Sequence, residues 1–327
     1  MKTFMGRRAA LSLLAGVSAG MAVGARRADA ADGVPLTLQA AYINDAEFLG
    51  YYVGLEKGFY RQDGVALTYL SGGPDIIPES SLIAGNADIA LTEPDTAIRA
   101  ITRDGAPFVV IGAQFQKSPM GVISLSTAPI RNPADLAGKT LSVSAVSLVL
   151  VKQFLKINGL GPRDVRIVPD TASDPTQLLN GTVDASCGFV TDYPFMVREH
   201  GHEPVSFLLS DFGLDLFNNT VVATRDALRT KRAALVGFLK ASRQGWTENL
   251  RDPLVYPKLY HDGWLRPAGR SVAYDQFSNA AYKPLMECPG GLFSMASEAI
   301  ERNVTFLNRI GVPATTAHFD ASLLSEL

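Results

Sequence analysis

The chain has 327 residues and a formal net charge of −2, which excludes the basic surface of a nucleic-acid binder and the charge surplus of a polyanion. With 47% hydrophobic and 19% charged residues it can bury a substantial core, and its length suits about two domains.

In chain order, the first segment reads as an address. "MKTFMGRRAALSLLAGVSAGMAVGARRADA" (1–30) has a basic start, an apolar stretch over 9–25 and Ala28-Asp29-Ala30, the pattern of a secretory signal with its cleavage site. The Arg7-Arg8 pair leans toward twin-arginine export. No later segment approaches about 18 uninterrupted apolar residues, so the expected location is the periplasm, in soluble form.

Beyond it, strand-like runs alternate with helix-like segments. Strands are predicted at 36–43, 65–70, 87–92, 108–115, 140–144, 165–169 and 183–190, with helices over 47–57, 76–84, 94–103, 146–158, 175–180 and 192–199. Short turns between them argue for α/β architecture with mostly parallel sheets covered on both faces. Cys187, in "DASCGFV", reads as a small buried hydrophobe rather than half of a disulfide with Cys288. From about Ala227 the texture is helical, over 227–250, 274–285 and 294–309.

Two units share a pattern: "LIAGNADIAL" (82–91) and "LLNGTVDASC" (178–187) each end a helix at Gly, turn at an acidic residue and enter a buried strand. Two pseudo-equivalent lobes follow, the first expected to be discontinuous over 34–121 and 225–327, the second over 122–224. Two crossings between lobes suit hinge closure on a ligand.

The segment 36–96, with "EKGFYRQDG" (56–64), "GGP" (72–74) and the helix ending "GNAD" (85–88), resembles the periplasmic solute-binding proteins of ABC importers. The similarity continues through "NPADLAGKTLSVS" (132–144) and "LLNGTVDA", and the group includes binders of thiamine pyrimidines, riboflavin, taurine, sulfonates and nitrate. It implies a monomeric two-lobe clamp that hands a small molecule to an inner-membrane permease, with no chemistry, cofactor or metal of its own.

In such sheets ligands sit beyond the carboxyl ends of the strands. That places Tyr42, Asn44, Asp45, Glu47 and Phe48 after the first strand, Gly72 and Gly73 after the second, and Glu93 and Asp95 after the third. The second lobe offers Ser144, Ser147, Asp170, Thr171, Phe189, Asp192 and Tyr193, with Asn218 and Asn219 near the return crossing. This mouth is acidic and aromatic, with Lys and Arg almost absent. It suits a flat heterocycle with N–H edges, a thiamine-precursor pyrimidine or a flavin-like ring. A sulfonate or taurine held by helix-end amides is the alternative. Several positions have a plainer reading: Asp45 as a helix cap, Phe48 and Tyr51 as core, and Gly72-Gly73-Pro74 as a turn.

One enzyme resembles this fold, the eukaryotic pyrimidine synthase that consumes its own histidine. It places that histidine three residues after an asparagine, where this chain has Glu47 after Asn44, and it needs a cysteine-rich cluster that is missing here. His200 and His202 form an H-x-H with no third ligand at useful spacing. A binder, not an enzyme, is the expectation.

Overall fold

The computed structural model describes residues 33–170, 172 and 174–327; the expected signal at 1–30 and the candidate Thr171 lie outside the described residues. The strands, in chain order, are β1 (Val34–Gln39), β2 (Val65–Leu70), β3 (Ile89–Thr92), β4 (Phe108–Phe115), β5 (Met120–Leu125), β6 (Thr140–Ser144), β7 (Arg166–Asp170), β8 (Ala185–Phe189), β9 (Pro204–Leu208) and β10 (Asn218–Thr224). They build two sheets, ordered β2-β1-β3-β10-β4 and β7-β6-β8-β5-β9.

The two orders are the same plan. In each sheet the second strand in order, β1 or β6, pairs in parallel on both sides. Beyond the third strand, β3 or β8, runs one strand antiparallel to both of its neighbours, β10 in the first sheet and β5 in the second. Those two are the strands on which the chain changes sheet, so β5 begins just after β4 ends and β10 returns after β9. β10 lies in the first sheet, although its residues fall within the range expected of the second lobe. Its apolar run resembles the end of the preceding domain, and only pairing with β3 and β4 reassigns it.

The repeated sequence units have equivalent geometry. Gly85 and Gly181 both take left-handed backbone, φ 71° and 73°, which glycine tolerates without a Cβ clash. After each turn an aspartate clasps the neighbouring strand twice. Asp88 receives the Thr37 N–H on its carboxylate at 3.0 Å and donates its own N–H to the Thr37 carbonyl. Asp184 does the same with Thr140, at 2.8 Å. The acidic residue of the motif therefore ties the start of the following strand to β1 in the first sheet and to β6 in the second.

The helices cover these sheets. Those of the first half are α1 (Leu49–Glu56), α2 (Phe59–Gln62), α3 (Pro78–Ile83), α4 (Pro94–Asp104), α5 (Leu148–Ile157), α6 (Thr176–Leu179) and α7 (Tyr193–Glu199). The C-terminal third adds α8 (Arg225–Thr230), α9 (Arg232–Arg251), α10 (Val255–Tyr260), α11 (Val272–Met286) and α12 (Ser297–Arg309). One core sits between the first sheet and α1, α9 and α11, with Leu36, Leu38, Tyr51, Phe238 and Trp246 fully buried. A second runs from the other face of that sheet, through Phe217 on the return crossing, into Val122 and Leu141 of the second sheet and Phe154 of α5. No helix among the described residues is long and apolar enough to cross a membrane.

The closest helix contact, α1 on α9, depends on small residues. A Cβ at Gly245 would lie 2.1 Å from the Gly50 carbonyl oxygen, and one at Gly50 would run into the Trp246 ring. Backbone cannot retreat as a side chain can, so this pair of helices has no room for a methyl group. Gly245→Ala is expected to lower unfolding stability by about 1–3 kcal/mol in urea titration; an unchanged midpoint would show that the helices part without cost.

Candidate ligand cleft

β1 ends at Gln39, four residues short of the expected strand, and the chain then bends over 40–45 at the carboxyl edge of the first sheet. A short 3-10 turn, Ala46–Phe48, follows, and Asp45 caps it by accepting the Glu47 N–H at 2.9 Å. The second oxygen of Asp45 accepts from Nη1 of Arg270 at 3.2 Å, and the guanidinium lies 4.7 Å over the Tyr274 ring. Asp45 thus caps the turn with one oxygen and pairs Arg270 with the other.

Glu47 and Glu93 are held from β10. Asn219 donates from Nδ2 to Oε1 of Glu47 at 3.4 Å, and Asn218 donates from Nδ2 to both oxygens of Glu93, each at 2.8 Å. Gln114 of β4 donates to the Glu47 backbone carbonyl at 2.9 Å. Beside them the buried Glu79 accepts hydrogen bonds from the hydroxyls of Thr92 and Thr96. From the second sheet, Asp192 at the start of α7 accepts from Ser278 of α11 at 2.9 Å, which ties the two halves of the fold together. Phe195 of α7 packs against both Tyr274 and Phe277 on the same helix, α11.

Asp45, Glu47, Asp192 and Asp275 thus lie within electrostatic reach of a single guanidinium, Arg270, and Glu93 presses on Glu47 from the side. Burial pushes the Asp45 carboxyl up to about 7, with Arg270 pulling the other way. Burial and the neighbouring Asp45 and Glu93 hold Glu47 well above the usual carboxylate range. Glu93 is open to solvent at its surface, yet enough protein surrounds it to raise it to about 8, with Asp95 adding to the rise. Asp275, fully buried 4.0 Å from His261, rises to about 6.

The expected site residues separate into two groups. Tyr42 (40% exposed), Asn44, Glu47, Gly73, Glu93, Ser144, Phe189 and Asp192 remain accessible or half-buried. Ser144 donates to Ser147 at the end of β6. Phe48, Gly72 and Tyr193 need correction. Phe48 is fully buried in the first core, because the 3-10 turn rotates it inward. Gly72 is required by packing: a Cβ there would lie 2.6 Å from the Ala40 carbonyl oxygen and the Tyr42 nitrogen. The Tyr193 ring lies under β8 in a small core with Ile123, Leu178, Val183 and Val197, and its hydroxyl donates to Asp170. The expectation that Arg is nearly absent from the mouth also needs revision, since Arg270 enters from the C-terminal third, where no motif marked it. Gln114 was missed too, though a lone amide in the fully buried strand "FVVIGAQF" was a visible signal.

The family model described as NMT1/THI5 like matches residues 45–254. The riboflavin-binding protein RibY of Chloroflexus aurantiacus is 24% identical over 225 residues, a match spanning 67% of this chain and 63% of that protein's length. Among solved structures, the periplasmic aliphatic sulphonate binding protein SsuA of Escherichia coli superposes with a TM-score of 0.67 at 16% identity, covering 88% of this chain and 91% of the other. The desulfurization enzyme DSZB superposes at 0.57 and 15% identity, over 89% and 98%. The fold is that of the periplasmic binding proteins, and it is shared with at least one enzyme.

The raised carboxyls set a pH dependence. A folded-state pKa above the unfolded value of about 4 gives stability that is full at low pH and lost as pH rises through the folded value. With Asp275 near 6, Asp45 near 7 and Glu93 near 8, the melting temperature of the ligand-free protein is expected to fall between about pH 5 and pH 9. Glu47→Gln should flatten that decline; a steeper decline in the variant would contradict the assignment.

Proposed function

Because the chain belongs to the NMT1/THI5-like family, we propose that it is the periplasmic substrate-binding component of an ABC-type importer. Its two lobes close on a small nitrogen heteroaromatic nutrient, a pyrimidine precursor of thiamine or a flavin-like ring, and deliver it to an inner-membrane permease. The lobes part where the chain changes sheet, between β4 and β5 and between β9 and β10, and the clamp acts as a monomer.

The observation that carries this reading is the charge balance of the cleft. Arg270 is the cation paired there, and it is already bound to Asp45. An anion would find no free guanidinium to receive it, and every one of Glu47, Glu93 and Asp192 that ionised beside it would repel it. A ring that offers N–H groups answers those carboxylates. The accessible rings of Tyr42 and Phe189 stand at the edges of the two sheets for stacking. The ligand named for RibY, riboflavin, belongs to the same chemical class.

Sulfonate binding is the second reading, supported by the SsuA fold likeness; it needs helix-end amides to outweigh the carboxylates. For an enzyme, the fold likeness to DSZB supplies a scaffold and no reacting group.

Thermal unfolding against riboflavin, 4-aminopyrimidines, an alkyl sulfonate and nitrate decides between them. A ligand at a thousandfold excess over its Kd adds about 4 kcal/mol to the folded state and raises the melting temperature by several degrees. The expected rise is with a heteroaromatic alone, and a rise with sulfonate alone would reverse the reading.

A further inference from the structure

Three amide side chains packed beneath the acidic groups have almost no solvent access: Gln114 (0% exposed), Asn218 (3%) and Asn219 (1%). Each directs its N–H end at an acidic-loop acceptor, namely the Glu47 carbonyl, the Glu93 carboxylate and the Glu47 carboxylate. The opposite ends, Oε1 of Gln114 and Oδ1 of Asn218 and of Asn219, have no hydrogen-bond partner in the protein, nor has Oδ1 of Asn44. The Asn218 orientation is the one that an ionised Glu93 requires: reversed, the Asn218 oxygen would face two acceptor oxygens once Glu93 has lost its proton. Buried acceptors left without donors are rare in folded proteins and call for an explanation. Here they gather around two carboxylates.

Asn219 adds a second, independent sign. Its φ is 50°, one of two non-glycine residues among those described with left-handed backbone. That conformation lets its backbone N–H reach Glu93 while its side chain reaches Glu47, so one residue grips both carboxylates. Backbone held in this region is unfavourable and is concentrated at functional sites.

We propose that Gln114, Asn218 and Asn219 determine specificity by making the floor of the cleft an all-acceptor surface for a positively charged, multiply N–H-bearing group of the ligand, a protonated amine or amidine-like nitrogen. This rests on the importer reading above and narrows it. An amidine-like edge offers adjacent N–H donors to a carboxylate fork. A flavin's dioxo edge sets two carbonyls around one N–H, so two of its three polar atoms would face oxygens. An oxyanion presents oxygens only. The charged groups around the floor are Asp45, Glu79, Asp95, Asp192 and Asp275 on the negative side and, on the positive, Arg270, engaged by Asp45, and Arg99, 3.8 Å from Asp95. The carboxyl groups all favour the same ligand charge, and both cations are engaged by carboxylates.

The test is calorimetric titration of the full chain with an aminomethyl-substituted aminopyrimidine, its neutral hydroxymethyl counterpart, benzamidine, riboflavin and an alkyl sulfonate. The wild type is expected to bind at least one of the two cations, to prefer the amine over the hydroxymethyl analogue by tenfold or more, and to give no heat with riboflavin. Asn219→Gly keeps the left-handed backbone and the backbone donor but loses the amide. It should cut the amine-over-hydroxyl preference at least fivefold, whereas a purely structural role would weaken both ligands alike. Gln114→Met, similar in shape, makes the same test if the glycine variant does not fold. An unchanged preference in both variants overturns the proposal, as does binding of neither cation. Riboflavin binding alone would overturn it and leave the importer of heteroaromatics standing. Sulfonate binding alone would remove both.

Discussion

Carboxylates crowded around one guanidinium hold this cleft in a state that wants either protons or a donor-bearing ligand. Asp45, Asp192 and Asp275 all feel Arg270, yet Arg270 contacts Asp45. Glu47 and Glu93 are left to repel each other. Desolvation makes that repulsion costly, which is why these groups bind protons at pH values where free carboxylates have lost them. A ligand that brings its own N–H donors displaces the protons and relieves the repulsion together. Electrostatics, stability and selectivity in this protein are then one problem.

The scaffold supplies the positions. Both sheets follow one plan, each with an aspartate clasp, from Asp88 on β1 or from Asp184 on β6. In both, the strand that changes sheet is the antiparallel one. On β10 this has a consequence for function, because Asn218 and Asn219 stand at its first two positions, where the returning chain enters the first sheet. The residues that grip Glu47 and Glu93 therefore lie at the end of a crossing between the sheets. From the other side, the Asp192–Ser278 bond and the Phe195 contacts seat α7 on α11. The C-terminal helices thus contact elements of both sheets' halves of the fold.

Much of this was legible in the sequence. Strand–helix alternation gave the α/β class, and the duplicated "G-x-x-D" turn showed two related sheets before any pairing was known. The acidic loop of 44–48 stood out in the sequence because unpaired carboxylates have little use in a core; the structure buries Asp45 there as a cap and leaves Glu47 half-buried. The side chains at 48, 72 and 193 were misjudged for local reasons. A 3-10 turn has a different facing from the helix expected there, so Phe48 points inward; Gly72 serves a backbone approach between loops; Tyr193 fills the space over Gly188. Arg270 was invisible for another reason: it approaches Asp45 across 225 residues of chain, and only the folding of the C-terminal third onto the first sheet brings the two together. The return strand was misassigned because antiparallel insertion between β3 and β4 leaves no mark in periodicity.

The most direct measurement is the identity of the molecule that the protein retains when it is purified from its own host, released by denaturation and read by mass spectrometry. The account predicts a nitrogen heteroaromatic bearing N–H donors, at about one molecule per chain. A sulfonate, nitrate or other oxyanion at that stoichiometry would contradict it, and would mean that helix-end amides, not the carboxylates of 45, 47 and 93, decide what the cleft holds.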